Sequence, residues 1–457
     1  MSQTHVELRR GAYADSVTLL QVSRTVQGVE GVTAAQVAMA TALNVEVLTG
    51  MGFAVPPEAT ANDMVVAVRL SDEGSLDAAL AGVDRALTES TRRAPGPSEE
   101  APPRTTAAAL RRTGGDAVVL VSVPGPSAFV EAVDAVEAGC DVMVFSDNVP
   151  VEQEVRLKEA AAAQGLLVMG PDCGTAVVGG LGLGFANVVQ PGPVGIVAAS
   201  GTGAQQVLAL LDHAGVGVTH ALGVGGRDLS VEVGGLATRE ALRRLDADAD
   251  VERILLVSKP PAPEVAAEIT DFAASLGTPV SRALLGEVDL TAATEALLRE
   301  LDREVPAWPV TGRAEPAPSG SRVRGLFVGG TLASEAALVL GERGDVTDFG
   351  DDAYTSGRAH PMIDPTLRLE HLARSAADPD VAVLLLDVVL GHGAEPDPAA
   401  LLAPALASAG KPAVVTVVGS AADPQGLDGQ VRALADAGAE VHLSNAGAAR
   451  RALELLS

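Results

Sequence analysis

Two segments of the sequence join an apolar strand, a glycine-rich turn and the start of a helix. In the first, the turn Ala-Ser-Gly-Thr-Gly at 199–203 leads into a helix around 207–211. In the second, Gly-Gly-Thr at 329–331 leads into a helix around 332–340. The free backbone N–H groups of such turns, together with the positive end of the helix macrodipole, bind phosphate or carboxylate groups.

A single turn of this kind most often only reverses the chain, but two of them predict chemistry on a phosphorylated intermediate. Lys259 follows an apolar strand and precedes two prolines, and we predict that it binds an anion. The alternative is that its ammonium group only extends to the surface. The predicted phosphate-binding residues are those of the two turns, Ser200, Gly201, Thr202, Gly203, Gly329, Gly330 and Thr331.

Two other polar clusters are candidates for substrate binding. Arg227 and Asp228 follow two glycines, although an ion pair that caps the turn explains them equally well. In the segment 350–364, Arg358 offers a fork for a carboxylate and His360 a titratable ring, and both are candidate catalytic residues. A histidine before proline can also simply hydrogen-bond its own loop. The acidic residues of this segment, also predicted to bind substrate, are Asp351, Asp352 and Asp364.

The first 90 residues predict a small separate domain. Strand, helix, strand, a looser stretch, strand and helix follow one another from 5 to about 89, an order that fits a ferredoxin-like βαββαβ sandwich. Such sandwiches often mediate assembly or bind small ligands. Prolines and charges at 91–105 predict a linker.

Beyond the linker, apolar strands alternate with amphipathic helices, which predicts α/β domains with parallel sheets. The expected domains cover 106–190, 191–303 and 322–457, with a second linker at 304–321. The last two share one plan and are interpreted as a duplicated domain brought together face to face. The glycine-rich segment 180–184 is interpreted as a loop. Ligands of such sheets collect at the carboxyl ends of the strands.

Composition excludes several functions. The formal charge of −27 opposes binding to nucleic acid or to an anionic membrane. No apolar run approaches the roughly 20 residues that span a bilayer, and the first residues lack an apolar signal core, so we expect a cytoplasmic protein. Cys140 and Cys173 are too few for a disulfide framework or a cysteine metal site, and the seven histidines are scattered, so no metal site is expected.

Several motifs resemble the acid–CoA ligase superfamily, in particular the α subunit of succinyl-CoA synthetase followed by the carboxyl-terminal domain of its β subunit. The resemblance covers about 117–457 and rests on VPGPSAF, FSDNVP, MGPDCGT, VGIVAASGTG and VGGTLASE. With the amino-terminal sandwich and GGRDLS, VSKPP, GDDAYTSGRAHPMIDP and LLLDVVLG, the chain is identified as a member of the FdrA family.

The resemblance implies a Rossmann-like CoA-binding-type domain at 106–190, followed by two flavodoxin-like, ligase-type domains. It also implies that Cys173 helps to position CoA, whereas a nucleophilic role would require a helix end to lower the pKa of its thiol. The residues implied to bind CoA are Ser122, Pro124, Ser146, Asp147, Asn148, Pro171, Asp172 and Cys173.

Members of the FdrA family are usually labelled acyl-CoA synthetases, and some resemble a subunit of oxamate carbamoyltransferase. That enzyme of anaerobic allantoin degradation interconverts oxalurate plus phosphate with oxamate plus carbamoyl phosphate. The ligases carry a phosphohistidine in a Gly-His-Ala-Gly turn, but 281–308 contains no histidine here, and Ser258-Lys259-Pro260-Pro261 replaces the glutamate-bearing turn that orients it. The sequence also lacks an ATP-grasp segment.

The expected function is therefore a transferase subunit that moves an acyl or carbamoyl group to or from phosphate. Lys259 and the two helix ends are expected to hold phosphate, and Arg358 or Arg227 the acceptor carboxylate. One alternative is a CoA ligase subunit that binds CoA and works with an ATP-grasp partner. Another is a non-catalytic regulatory or assembly subunit whose sandwich senses a metabolite. A hetero-oligomer with other subunits is expected in each case.

Overall fold

The chain forms two compact units. The computed structural model describes residues 3–71, 75–91, 103–113, 117–317, 319–355 and 357–456. The first unit comprises Met1–Pro102 together with Gly350–Asp364, and the second comprises Pro103–Phe349 and Pro365–Ser457. Most of the predicted linker 91–105, residues 92–102, lies outside the described ranges.

The first unit is built on an antiparallel sheet in the order β1-β3-β2. Side chains of the central strand β3 point alternately to the two faces of the sheet. Both faces are covered by helices, so both sets of side chains are buried. Val66 and Val68 pack with α1 and α3, whereas Val65 and Ala67 pack under α2. The elements are β1 (Gln3–Arg9), α1 (Ser16–Gln27), β2 (Val32–Met39), α2 (Ala42–Gly50), β3 (Met64–Leu70), α3 (Leu76–Thr91) and α12 (Asp352–Thr355).

The predicted strands and helices of this unit are present, but two features differ from the expected βαββαβ pattern. The stretch between β2 and β3 forms the helix α2, which begins where the Thr41 hydroxyl accepts a hydrogen bond from the Asn44 N–H at 3.3 Å. The expected βαββαβ pattern has four strands, whereas the sheet formed by the described residues has three.

The second unit begins with a parallel sheet in the order β4-β5-β6. Its first strand is apolar throughout, yet Val118 is 41% and Leu120 47% exposed. The reason is that β4 pairs only with β5 in the described structure and therefore forms an edge. The elements are α4 (Thr106–Thr113), β4 (Val118–Val121), α5 (Gly125–Glu137), β5 (Asp141–Val144), α6 (Val151–Ala162) and β6 (Val168–Met169).

The next sheet has the order β12-β11-β9-β10-β7-β8. The interpretation of 180–184 as a loop is wrong, because Leu181–Gly184 is strand β8 of a hairpin with β7. Gly179 and Gly180 have φ angles of 57° and 80°, the left-handed conformations that a tight hairpin turn requires. The elements are β7 (Thr175–Val178), β8, β9 (Val194–Ala199), α7 (Gly201–His213), β10 (Val218–Gly223), α8 (Leu236–Ala247), β11 (Arg253–Ser258), α9 (Pro263–Ala274), β12 (Val280–Leu284) and α10 (Leu290–Glu300).

The last sheet has the order β13-β18-β17-β16-β14-β15. The expected linker 304–321 contributes strand β13, which pairs antiparallel with β18. The elements are β13 (Val310–Thr311), β14 (Arg322–Phe327), α11 (Gly330–Leu340), β15 (Gly344–Asp348), α13 (Thr366–Ala377), β16 (Val381–Val389), α14 (Pro398–Ala409), β17 (Ala413–Val418), α15 (Leu427–Asp436), β18 (Ala439–His442) and α16 (Asn445–Glu454).

These two larger sheets share one topology. In each sheet, strand 1 is the strand before the glycine turn and has a neighbour on both sides. Strand 2, the next in the chain, pairs on one side of it, and strands 3 and 4 follow on the other side. The resulting order 2-1-3-4 is that of a flavodoxin-like doubly wound sheet. The common order supports the interpretation of a duplicated domain.

Candidate functional site

The two glycine turns meet each other inside the second unit. The hydroxyl oxygens of Ser200, at the start of α7, and Thr331, at the start of α11, are 2.5 Å apart. A Cβ added to Gly329 would lie 2.9 Å from three side-chain atoms of Thr202. The two helix N-termini that the sequence predicted to hold phosphate together therefore adjoin.

Each turn follows from its local sequence. Six consecutive buried residues form β9, and Ser200 then ends the strand as the N-cap of α7, accepting a hydrogen bond from the Gly203 N–H at 2.9 Å. At α11 the N-cap is Gly329, which has no side chain to cap the helix. Glycine is required there because any larger residue would collide with Thr202.

A reciprocal pair of caps joins the duplicated halves around this point. Glu335, the sixth residue of α11, accepts a hydrogen bond at 2.7 Å from the N–H of Leu290, the first residue of α10. Gln206, the sixth residue of α7, accepts one at 3.1 Å from the N–H of Asn445, the first residue of α16. Each half thus caps the last helix of the other half.

The first turns of both helices retain backbone donors. Among the described residues, no acceptor is found for the N–H groups of Gly201 and Thr202 in α7 or of Gly330 and Thr331 in α11. An α-helix cannot satisfy these groups internally. Four amides at two abutting helix starts can therefore donate to an anion.

Part of the second turn already holds a carboxylate of the protein itself. The N–H groups of Val328 and Gly329 donate to Asp387 at 2.8 and 3.0 Å. Asp387 is fully buried and accepts a 3.0 Å hydrogen bond from the Arg368 guanidinium. The prediction that the Gly329 amide binds phosphate is therefore not supported, because this amide is occupied.

Burial raises the pKa of Asp387 to about 6, although Arg368 and the two amides oppose the shift. Sequence reasoning missed Arg368. Arginines on an amphipathic helix are normally solvent-exposed, so no pattern in α13 distinguished Arg368.

Lys259 differs from the other two lysines of the chain. The Lys158 ammonium is buried between Glu154 and Asp228, at 2.7 Å from each, and that of Lys411 donates to backbone carbonyls. Lys259 follows β11, is half-buried and has no hydrogen-bond or ion-pair partner among the described residues. Its Nζ lies 2.9 Å from the position that a Cβ would occupy on Gly330. Lys259 is thus a cation beside the free amides of α11.

Arg227 and Asp228 belong to a structural network. The Asp228 carboxylate, which is fully buried, binds Lys158 and accepts hydrogen bonds from the N–H and hydroxyl groups of Thr238 at 2.8 and 2.6 Å, which caps α8. Arg227 contacts Glu154 at 2.9 Å. The predicted substrate role of Asp228 is therefore not supported, because its oxygens are occupied within the protein.

The segment 350–364 belongs to the first unit and not to the unit that contains the two turns. The Asn44 side chain of α2 donates to the Gly357 carbonyl at 2.9 Å. Arg358, predicted to bind a carboxylate, forms a buried 3.2 Å ion pair with Asp364. Asp351 accepts a 3.0 Å hydrogen bond from the Ala353 N–H at the start of α12, which also contains Asp352.

His360 of the same segment was predicted to act as a general acid or base. Burial lowers the pKa of His360 to about 4, so the ring is neutral at pH 7. Its Nδ1 accepts a 3.2 Å hydrogen bond from the Met362 N–H. This geometry supports the alternative in which the histidine hydrogen-bonds its own loop.

The residues expected to bind CoA lie at the carboxyl ends of β4, β5 and β6. The turns after β4 and β5 are in contact, because a Cβ on Gly125 would lie 2.3 Å from the Asp147 carbonyl oxygen, and the Asp172 N–H of the turn after β6 donates to the Ser146 carbonyl at 3.0 Å. Burial raises the pKa of the Cys173 thiol to about 12, which opposes a role as a thiolate nucleophile at neutral pH. Of the predicted residues, Ser122, Pro124, Asn148 and Asp172 are exposed, Asp147 is half-buried, and Ser146, Pro171 and Cys173 are buried.

No group of three or more histidine, cysteine, aspartate or glutamate side chains in the described part of the chain is placed to hold a metal ion. No helix of the described ranges is both long and apolar enough to cross a membrane.

Two families match parts of the chain. The family described as "AllF, heavy metal-associated domain" matches residues 1–103, and the family "CoA-ligase" matches residues 326–455. Heavy metals prefer thiolate ligands, but both cysteines, Cys140 and Cys173, lie outside the first match. The residues of the first unit therefore do not fit a heavy-metal site.

Known proteins are similar to much of the chain. The uncharacterized protein YahF of Escherichia coli K12 is 35% identical to this chain over 490 aligned residues, and the alignment covers 95% of each protein. The mitochondrial ADP-forming succinate–CoA ligase subunit alpha-2 of Trichomonas vaginalis is 29% identical over 33% of this chain and 48% of that protein. The chain thus spans about half the length of that ligase subunit. The solved structure of the dinucleotide-forming acetyl-coenzyme A synthetase 1 of Ca. Korarchaeum cryptofilum is 18% identical to this chain. Its superposition covers 75% of this chain and 84% of the synthetase chain, with a TM-score of 0.31.

The identity with YahF over nearly the whole length, the AllF-type amino-terminal match and the CoA-ligase match agree with one another. They also agree with the motifs found in the sequence and with the duplicated α/β fold. The chain belongs to the FdrA-type family of acid–CoA-ligase-like proteins.

Proposed function

We propose that this chain is a transferase subunit that moves a carbamoyl or acyl group to or from phosphate on an acid–CoA ligase scaffold. The family resemblance suggests the reaction of oxalurate and phosphate to give oxamate and carbamoyl phosphate. The observation that carries the proposal is the pair of abutting helix N-termini with Lys259 beside them.

The amides of Gly201, Thr202, Gly330 and Thr331 hold the phosphate, and the Lys259 ammonium balances its charge. A phosphate oxygen attacks the carbamoyl carbon of oxalurate, and the bond from that carbon to the oxamate nitrogen breaks. The released nitrogen takes up a proton and leaves as the amide of oxamate. The same amides stabilise the negative charge that develops on the carbamoyl oxygen.

Direct transfer to phosphate needs no phosphohistidine. The segment 281–308, where the ligases carry that residue, contains no histidine. His213, the last residue of α7, lies at the end of that helix opposite the turn and packs against Trp308 with ring centroids 6.0 Å apart. A relay through a covalent histidine is therefore not part of the proposal.

The test replaces Lys259 by alanine and by methionine, the second of which keeps most of the side-chain volume. We expect each variant to bind inorganic phosphate about 10-fold more weakly by calorimetry. We also expect a loss of phosphate-dependent transfer, measured as kcat/KM with the partner subunits present, of about 100-fold. Lys411→Ala is the matched control, since the Lys411 ammonium donates to backbone carbonyls away from the two turns. Unchanged turnover in both Lys259 variants would refute this role.

A second candidate is a CoA ligase subunit that works with an ATP-binding partner. The similarity to succinate–CoA ligase α subunits and the exposed turns at the ends of β4 to β6 favour it. Ser122, Asn148 and Asp172 would then hold CoA. Thermal unfolding separates the candidates, because stabilisation by CoA but not by phosphate supports the ligase.

A further inference from the structure

A cleft lies within the first unit, between α1, β2 and the segment 357–364. It encloses about 280 Å³ including the space at its open mouth, and all of its lining residues belong to this unit. The two glycine turns that carry the proposed function belong to the other unit. The polar and apolar groups that line the cleft include Ser16, Leu19, Gln36, Val37, Arg358 and Ala359.

Arg358 gives this cleft a nearly buried guanidinium group. Its side chain is only 6% exposed, whereas arginine side chains normally extend into water. The 3.2 Å ion pair with Asp364 uses the Nη2 atom alone, and no acceptor for Nε or Nη1 is found among the described residues. A guanidinium carries several N–H donors in one plane, which match the two oxygens of a carboxylate. Arg358 therefore retains donors for an oxygen-bearing group that enters the cleft.

Two further polar side chains line the cleft and make no hydrogen bond within the described structure, the amide of Gln36 and the hydroxyl of Ser16. Ser16 is the first residue of the 12-residue helix α1, so the helix leaves its backbone N–H without an acceptor. The N-cap Asp15 uses its carboxylate oxygens on the N–H and hydroxyl of Thr18. Donors from a strand and a helix start therefore supplement those of Arg358.

The charge and the walls of the cleft limit what it can bind. Arg358 is the cation among the described lining residues, and Asp364 is the anion. A phosphate dianion or a dicarboxylate would bring a second negative charge that finds no cation in this lining. Leu19, Val37 and Ala359 form an apolar wall. The matching ligand therefore carries one carboxylate on a short, mainly apolar body.

We infer that the first unit binds a small monocarboxylate in this cleft. The carboxylate accepts hydrogen bonds from Arg358 and Gln36, and the body of the ligand packs against Leu19 and Val37. Asp364 holds the guanidinium in place through Nη2. This inference does not depend on the proposed function, because none of the lining residues takes part in phosphate binding.

The test compares propionate with propionamide, which has nearly the same shape and no charge. Ligand-observed NMR titrations use the full chain. We expect propionate to bind about 10-fold or more tightly than propionamide, because a guanidinium pairs more strongly with a carboxylate than with a neutral amide. Arg358→Gln should weaken propionate binding about 10-fold, and Gln36→Leu about 5-fold through loss of one hydrogen bond. Arg85→Gln is the matched control, since Arg85 is an exposed arginine of α3 that does not line the cleft.

Urea unfolding establishes first that each variant folds. If Arg358→Gln does not fold because Asp364 loses its buried cation, Gln36→Leu decides, since it breaks no ion pair. Wild-type protein that does not bind propionate, or binds propionamide equally well, overturns the inference. Unchanged binding in the folded variants of the cleft also overturns it. Binding that is lost in Lys259→Ala but kept in Arg358→Gln would place the probe at the two turns and refute the cleft as its site. None of these results bears on the proposed function, which is tested by phosphate.

Discussion

Glu335 makes the stability of the second unit dependent on pH. Its carboxylate is 1% exposed, and burial raises its pKa from 4.5 to about 7 despite hydrogen bonds from Leu290 and Asn445. The nearby Asp289 raises the pKa further, whereas Arg450 lowers it. The native state therefore retains a proton that the unfolded chain has released between these two pH values.

A raised carboxyl pKa stabilises the fold at low pH and loses this contribution as the pH rises through the native value. With pKa values of 4.5 unfolded and about 7 folded, the free energy of unfolding falls by about 2–3 kcal/mol between pH 5 and pH 8.5 from this group alone. Glu335→Gln cannot ionise and does not lose this energy. Glutamine is suited to the position, because Gln206 fills the equivalent one in α7.

The assay is urea unfolding followed by the fluorescence of Trp308, the single tryptophan of the chain. Its indole N–H donates to Glu295 of α10, the helix that Glu335 caps, so the signal reports on this unit. The free energy of unfolding of Glu335→Gln minus that of wild type should increase by about 2–3 kcal/mol from pH 5 to pH 8.5. The exposed Glu342→Gln serves as control. A difference that stays constant within about 0.5 kcal/mol over this range would show that Glu335 keeps an ordinary pKa.

Three further predictions concern the same unit. Gly329→Ala pushes a Cβ against Thr202 and should lower the free energy of unfolding by about 1–3 kcal/mol, as measured by urea titration. A loss below about 0.5 kcal/mol, roughly that of a surface substitution, would show that the turns at Ser200 and Gly329 separate freely. Asp228→Ala removes a partner of the buried Lys158 and should cost about 3–5 kcal/mol by the same measurement, and a neutral result would contradict the structural role of Asp228. Cys173 should resist iodoacetamide at pH 8 in the native state and react in urea, as followed by mass spectrometry, whereas rapid native labelling would indicate a reactive thiol.

Features that depend on neighbouring residues could be predicted from the sequence. Apolar runs followed by glycine turns identified β9 with α7 and β14 with α11. This was possible because the residues that are buried and the residues that form the turn are neighbours in the sequence. The repeated pattern also predicted the duplication that the matching strand orders support. The short helix α2 and the hairpin strand β8 were missed, since a few residues carry too little periodicity.

Features that depend on distant residues could not be predicted. The contact between Asp387 and the amide of Gly329 joins positions 58 residues apart, and that between Lys158 and Asp228 joins positions 70 apart. A local pattern shows that such residues are polar but not which partners they meet. Arg358 illustrates the limit, because its ion pair with Asp364 was not distinguishable from an open carboxylate site.

The exchange of caps between Glu335 and Gln206 has a consequence for how the chain can be divided. If the backbone were cut within 304–321, each fragment would carry a terminal helix whose first N–H lacks its acceptor. The cost of leaving those buried donors unmet would be recovered only when the fragments recombine. The duplicated halves therefore behave like the two subunits of an obligate heterodimer that happen to be encoded as one polypeptide, and co-expressed fragments should complement each other where either alone fails to fold.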